Sequence, residues 1–402
     1  MAQLRASRRI DWGLFLLVVA ASQGYFGLMP AEVGTSQIAV LVAAVLAILA
    51  IRELGRGYST VRLSPLALCL VLFTVTWAFA AKLLTQTSGY TFLVLSTMVV
   101  YFFLRQCTTE RTLQTFALAT TVALVPSILG FFVPLGIPVR LHAGSQNGYA
   151  GYFPFNSWLA ICAAAAIISI VTLFASAGFR RWHVPAAGIA LFALVLSKSA
   201  TGSVGCIVAL GALAMITVTR RIRAKNRTLL IVGGLGIGVL LLLFVLVYSV
   251  SEFIGGATGR DTTFTNRTLV WKYALEGVSE SPYWGNSLHL STFTPIEGAG
   301  SQNGFMEFAL IGGVPAVLAL IAIVILAGYK LIVTSDLLLP FGVFGVVVNL
   351  SVSHLTSPYI ASLALFSAIA AGVRISGGLT LETATNRKGS YLHECYSSQS
   401  GV

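Results

Sequence analysis

Residues 251–300 read SEFIGGATGRDTTFTNRTLVWKYALEGVSESPYWGNSLHLSTFTPIEGAG and form the one long polar interruption in an otherwise apolar chain. They carry three cations (Arg260, Arg267, Lys272) and five acids (Glu252, Asp261, Glu276, Glu280, Glu297). Long connections without a role are uncommon in compact folds, so chemistry is expected in this stretch. The sequence on either side of it reads as membrane.

Of the 402 residues, 56% are hydrophobic and 9% charged, with a mean hydropathy of +0.87. That leaves too little polar surface to solvate a globule, and the class is a polytopic membrane protein. A net charge of +12 would point to nucleic acid in a soluble protein. In a membrane protein its distribution carries the information. The five cysteines (Cys69, Cys107, Cys162, Cys206, Cys395) show no CxxC spacing, so neither a disulfide framework nor a zinc site is implied.

Apolar runs long enough to span, each needing about 20 residues or somewhat fewer inside protein, fall at 12–28, 37–51, 63–81, 90–104, 113–133, 148–177, 184–196, 202–218, 229–250, 304–327, 331–350 and 359–373. The fold expected is all-α, a transmembrane helical bundle of about twelve spans with one large external loop containing a short interfacial helix. Short cytoplasmic loops retain Lys and Arg. With the N-terminus inside, only Lys82, Arg140, Lys198, Arg260, Arg267 and Lys272 of the 25 cations fall outside. Both ends are therefore expected to be cytoplasmic and 251–300 external. The first run follows basic residues but has no clean small-residue cleavage site, and is read as an uncleaved helix. The chain divides into 1–250 (nine spans), 251–300 (external loop), 301–375 (three spans) and 376–402, a polar tail expected to be disordered.

A cation kept on the disfavoured side needs an anionic partner. Arginine forks match phosphate oxygens bidentately, so Arg140 and Arg267 with Lys198 could hold a diphosphate. Pairing with the loop's own acids, such as Asp261, is the plainer alternative. Within the loop, Thr265 or Asn266 can cap a helix whose apolar stripe is Val270, Trp271, Ala274, Leu275 and Val278, ended by Ser281-Pro282. Arg267 and Trp271 share its face, so the indole would anchor at the membrane surface while the guanidinium faces outward, or merely snorkels.

GSQNGY at 144–149 and GSQNGF at 300–305 echo one another, each leading from the outer face into a span. Asn147, Gln302 and Asn303 offer uncharged donors and acceptors suited to hydroxyl-rich ligands; a repeated turn-and-cap signal is the alternative. Glu307, four residues after Asn303, is an ionisable group at the membrane boundary, functional unless paired with Arg267 or Lys272. SKSATG at 197–202 sets Lys198 among small residues that equally serve close helix packing. Among the histidines, His289 is the best acid–base candidate.

In this order, Arg140 with Asn147-Gly148-Tyr149, SKSATG, TNRTLVW with Ser281-Pro282 and Gly285, and SQNGFMEFALIGGVPA at 301–316 resemble the O-antigen ligase/polymerase family of bacterial envelope glycan enzymes, including exopolysaccharide polymerases. The resemblance covers about 140–316 by motif and the whole chain by topology. It implies a multi-pass protein of the cytoplasmic (inner) membrane without a cofactor. Its partners would be a polyprenyl-diphosphate-linked glycan donor, a glycan or lipid-linked acceptor, the lipid bilayer and other envelope polysaccharide assembly proteins.

An acceptor hydroxyl would attack the donor's anomeric carbon at the outer face, with Arg140 and Arg267 stabilising the diphosphate without a metal. The family's proposed catalytic histidine falls on Gln302 here, and a glutamine cannot take a proton. Glu307, Asp261 or His289 would then serve as base, or the leaving diphosphate needs little assistance, or the activity is altered. Ala200-Thr201, where ligases often carry an arginine, favours the exopolysaccharide branch. The rival class is a flippase or transporter. Charges near the bilayer midplane and paired halves mark transporters; the charges here cluster at the boundary, while the GSQNG echo argues the other way.

Overall fold

The computed structural model describes residues 10–25, 28, 35–55, 72–73, 76–77, 89–105, 108–133, 140–141, 148–178, 180–221, 267–285, 303–352 and 359–378. Its helices are α1 (Trp12–Ser22), α2 (Thr35–Leu54), α3 (Gly89–Leu104), α4 (Thr109–Phe132), α5 (Asn156–Ala177), α6 (His183–Ser197), α7 (Ala200–Arg221), α8 (Arg267–Glu280), α9 (Gly304–Thr334), α10 (Leu339–Asn349) and α11 (Ile360–Gly378). Four of the described helices, α4, α5, α7 and α9, are long and apolar enough to cross a membrane. The expected spans at 63–81 and 229–250 lie outside the described residues, apart from 72–73 and 76–77.

Helix α5 is the axis. Its CAAAA run at 162–166 is fully buried, and α4, α6 and α7 pack around it. Small side chains permit that close approach. Gly202 of α7 sits where a Cβ would lie 2.5 Å from the Ala160 Cβ, so packing accounts for at least this residue of SKSATG. The main core runs through α1–α7 and α9–α11, with a smaller cluster of α4, α5 and α6 around Tyr149 and Phe153.

Several boundaries differ from the sequence expectation: α1 stops at Ser22 rather than 28, α10 starts at Leu339 rather than 331, and three further differences have a local cause. Residues 140–141 (β1) and 149–151 (β2) form a short antiparallel pair, Arg140 opposite Gly151 and Leu141 opposite Tyr149, within an otherwise helical fold. The run that begins at 148 therefore becomes helical only at Asn156. Pro154 disfavours helix at the residue before it, and Phe155 is still extended (φ −139°, ψ 154°). Third, α9 continues through Gly328-Tyr329-Lys330 to Thr334, because one interior glycine costs only about 1 kcal/mol. The stop comes at Ser335, in the left-handed region (φ 55°), followed by Asp336, whose Oδ1 accepts from the Leu338 N–H at 2.8 Å. Inside α9, Gly313 (φ 76°, ψ 174°) breaks the helix into an outer segment, 304–312, and a long inner one.

Cations tie together one end of the bundle. Arg105 pairs with Asp11 at 2.7 Å and donates to Thr112, and Arg111 donates to the Ile10 carbonyl. Arg180 reaches Glu110 at 3.5 Å. Arg220 donates to the Ser335 carbonyl, and Arg374 to the Phe102 and Phe103 carbonyls at the end of α3. Guanidinium donors are suited to the last carbonyls of a helix, where the dipole is negative. These residues come from the segments that charge counting assigns to one side. Because the ends of α7 and α9 meet there, both helices begin at the opposite end.

Candidate functional site

At that opposite end, α8 begins at Arg267 and lies against the outer segment of α9. Val270 and Ala274 are buried against Leu310, with Trp271, Val278 and Met306 packed around them. Leu275 departs from the expected stripe and is 58% exposed: on a helix repeating every 3.6 residues, burial follows 270, 274 and 277, and position 275 turns away. A shallow depression is lined by Trp271, Lys272, Leu275, Glu276 and Ser279. Lys272 pairs with Glu276 of its own helix at 3.9 Å, both exposed, the weak kind of ion pair. Helix α8 ends at Glu280, before Ser281-Pro282 as expected.

Asn303 is the N-cap of α9. Its Oδ1 accepts from the Phe305 and Met306 N–H groups, each at 3.1 Å. Of the two readings of the SQNGF segment, capping is the one that occupies this carbonyl oxygen. Glu307, partly buried, follows in the first turn, and its N–H donates to the Asn303 carbonyl. A carboxylate here is favoured by the partial positive charge of the helix start.

The second half of this end is built by β2, α5 and α6. Asn156 donates through Nδ2 to the Ser197 carbonyl at 2.9 Å. Gly148 is seated over that bond, where a Cβ would stand 2.5 Å from the amide nitrogen and 2.6 Å from the carbonyl oxygen. The contact joins the GSQNGY and SKSATG segments. Lys198 follows as the exposed C-cap of α6 in the left-handed region (φ 49°), its N–H on the Val195 carbonyl. Tyr149 donates to the Ser127 carbonyl, and Ser127 Oγ accepts from the Tyr152 N–H. These bonds fix β2 to α4 and thereby the backbone of its partner strand, which carries Arg140.

Thus the structure unites Arg140 (by backbone), Gly148 and Lys198 around α5 and α6, and Arg267 (by backbone), Trp271, Asn303 and Glu307 around α8 and α9. Asn147, Asp261, His289 and Gln302 lie outside the described residues, as do the side chains of Arg140 and Arg267.

One feature of this end had no reading in the sequence. Trp77 donates from Nε1 to both the Tyr283 and Gly312 carbonyls at 3.1 Å and stacks on Trp284. The Gly312-Gly313-Val314-Pro315 run signals a helix break, but nothing in sequence pairs it with Trp77.

Residues 185–321 match the family model described as O-antigen ligase. The matched stretch contains Lys198, Asp261, Arg267, Trp271, His289, Gln302, Asn303 and Glu307, and begins after Arg140 and Asn147. No curated protein matches the chain.

Proposed function

We infer the chemistry of this chain from its membership of the O-antigen ligase/polymerase family, to which residues 185–321 assign it. It is a membrane protein of the ligase/polymerase type of glycosyltransferase. Our reading is that it joins or polymerises polyprenyl-diphosphate-linked oligosaccharides at the outer face of the cytoplasmic membrane. It would have about twelve spans, both termini inside and the 251–300 loop outside.

The acceptor oxygen forms a bond to the donor's anomeric carbon while the bond from that carbon to the diphosphate oxygen breaks. The electron pair leaves on the diphosphate, where Arg140, Arg267 and Lys198 neutralise it. Preorganised cations aimed at developing charge are effective because they need no reorganisation during the reaction. The acceptor proton goes to Glu307 in this reading, since Gln302 has no basic site. Asn147, Gln302, Asp261 and His289 are assigned to binding the sugar substrate by their chemistry, and Trp271 offers an apolar face. Divalent metal is not required, so chelator should leave turnover unchanged.

The observation that carries the reading is that α8, starting at Arg267, is packed on the turn-bearing segment of α9 that holds Glu307. The test is the purified full-length protein with a labelled lipid-diphosphate oligosaccharide. Arg267→Ala and Arg140→Ala should each lower transfer by about 100-fold or more, the scale of removing one transition-state donor. Full transfer by both correctly inserted variants contradicts the mechanism. Movement of intact donor across vesicles without any transfer would favour the flippase.

A further inference from the structure

The joint at the exit of α8 brings together three pieces of chain far apart in sequence. The Trp77 indole N–H lies between the carbonyls of Tyr283, just past α8, and Gly312, at the break of α9, 3.1 Å from each. Its ring stacks on Trp284 with centroids 4.5 Å apart and planes 8° from parallel, and on its other neighbour Phe73 at 5.3 Å. Beside it the Val314 N–H donates to the Pro282 carbonyl at 2.8 Å.

The two backbones interlock through glycine. A Cβ on Gly285 would stand 2.5 Å from the Ile311 carbonyl carbon and oxygen, and one on Gly313 would stand 2.4 Å from the Tyr283 oxygen. Both glycines have positive φ, 75° and 76°, which L side chains adopt only with strain. A side chain at either position would therefore push the exit of α8 off the bend of α9.

Helix α8 has 14 residues, about 21 Å at 1.5 Å per residue. Apart from the joint, among the described residues it is held to α9 by the small cluster of Val270, Ala274 and Leu310 with Trp271, Val278 and Met306 around it. A rotation of about 5° at its C-terminal end would move its first residue, Arg267, by about 2 Å over that length. A misplacement of about 1 Å in a reacting geometry can cost about 100-fold in rate.

We propose that Trp77 is a positioning residue for glycosyl transfer: by bridging Tyr283 and Gly312 it fixes α8, and with it Arg267, against the outer segment of α9 that carries Glu307. The catalytic half rests on the function proposed above, whereas the joint itself does not.

The test places nitroxide labels, through genetically encoded ketone side chains, at the exposed positions 272 on α8 and 318 on the inner segment of α9 of the full-length protein. Pulsed dipolar spectroscopy then reads their spacing. The expected result is one narrow distance distribution in the otherwise native protein, at least doubled in width by Trp77→Phe, which keeps the stack and loses both hydrogen bonds, and broader still in Trp77→Ala. In the unlabelled enzyme, Trp77→Phe should lower kcat about tenfold while KM for the lipid-linked donor changes less than twofold. An unchanged distribution in both variants overturns the joint, and a broadened one with kcat intact overturns its role in transfer. If the native enzyme turns over no donor, the proposed function fails while the spacing measurement still decides the joint.

Discussion

Asn303 spends its side-chain oxygen on two backbone N–H groups of α9, so its substitution should be read first as a lost cap. Asn303→Ala should cost about 1 kcal/mol of stability, measured by thermal unfolding in detergent, while Asn303→Asp should retain most of it because a carboxylate also caps and favours the helix start. If the alanine variant matches wild-type stability but loses donor binding, the residue is a sugar ligand first.

Asp336, at the cation-rich end, gives a pH signature. Burial raises its pKa above the ordinary carboxylate value, opposed by the Leu338 N–H, the Thr109 hydroxyl and the Arg220 charge. A raised carboxyl pKa means that the folded state holds the proton more tightly than the unfolded one. This contribution to stability is fully present below the ordinary carboxylate pKa and is lost as pH rises through the raised value. The unfolding temperature should therefore fall more over that window in wild type than in Asp336→Asn, which keeps an oxygen for Leu338. Parallel pH profiles would contradict the assignment.

At the scale of elements, the buried Arg105–Asp11 pair fastens the start of α1 to the end of α3, with Arg105 5% exposed. Asp11→Asn keeps an acceptor for the Leu14 N–H but removes the carboxylate charge paired with a buried guanidinium. Such a change should cost about 3 kcal/mol, seen as a lowered unfolding temperature. A cost below about 0.5 kcal/mol, typical of a surface substitution, would mean that solvent reaches the pair.

Apolar length made most helices legible in the sequence, because bilayer thickness and helix rise together fix a run that cannot be hidden. Boundaries were legible where a strong stop stood alone, as at Ser281-Pro282, and to within one residue at both ends of α3 and α6. They slipped at 148–155, where strand pairing and Pro154 delay the helix, and at 328–330, where one glycine is too weak a stop. At the site, the sequence singled out Lys198, Trp271, Asn303 and Glu307, which the fold carries to one end of the bundle. It did not separate capping from ligand binding at Asn303, since both use the same amide. Trp77 was illegible for a different reason: its partners, 206 and 235 residues away, are chosen by tertiary structure alone.

For the whole molecule, the described structure has two chemically distinct ends. One is bound by guanidinium contacts to helix-terminal carbonyls and carboxylates; the other carries Lys198, the strand of Arg140, and the α8–α9 unit with its Trp77 joint. We propose that the cation-rich end faces the cytoplasm, because short inner loops retain Lys and Arg. The outer end would then meet a lipid-linked anion at the membrane surface, where a desolvated arginine is worth more than in bulk water. This arrangement suits chemistry at a boundary better than passage through a midplane site.

The measurement that tests this account most directly is the chain-length profile of surface glycan in a deletion strain complemented with wild type or with Arg267→Ala, each at equal membrane abundance. Wild type should restore long chains, while Arg267→Ala should leave only short units at the surface. Long chains restored by Arg267→Ala as fully as by wild type would contradict the mechanism.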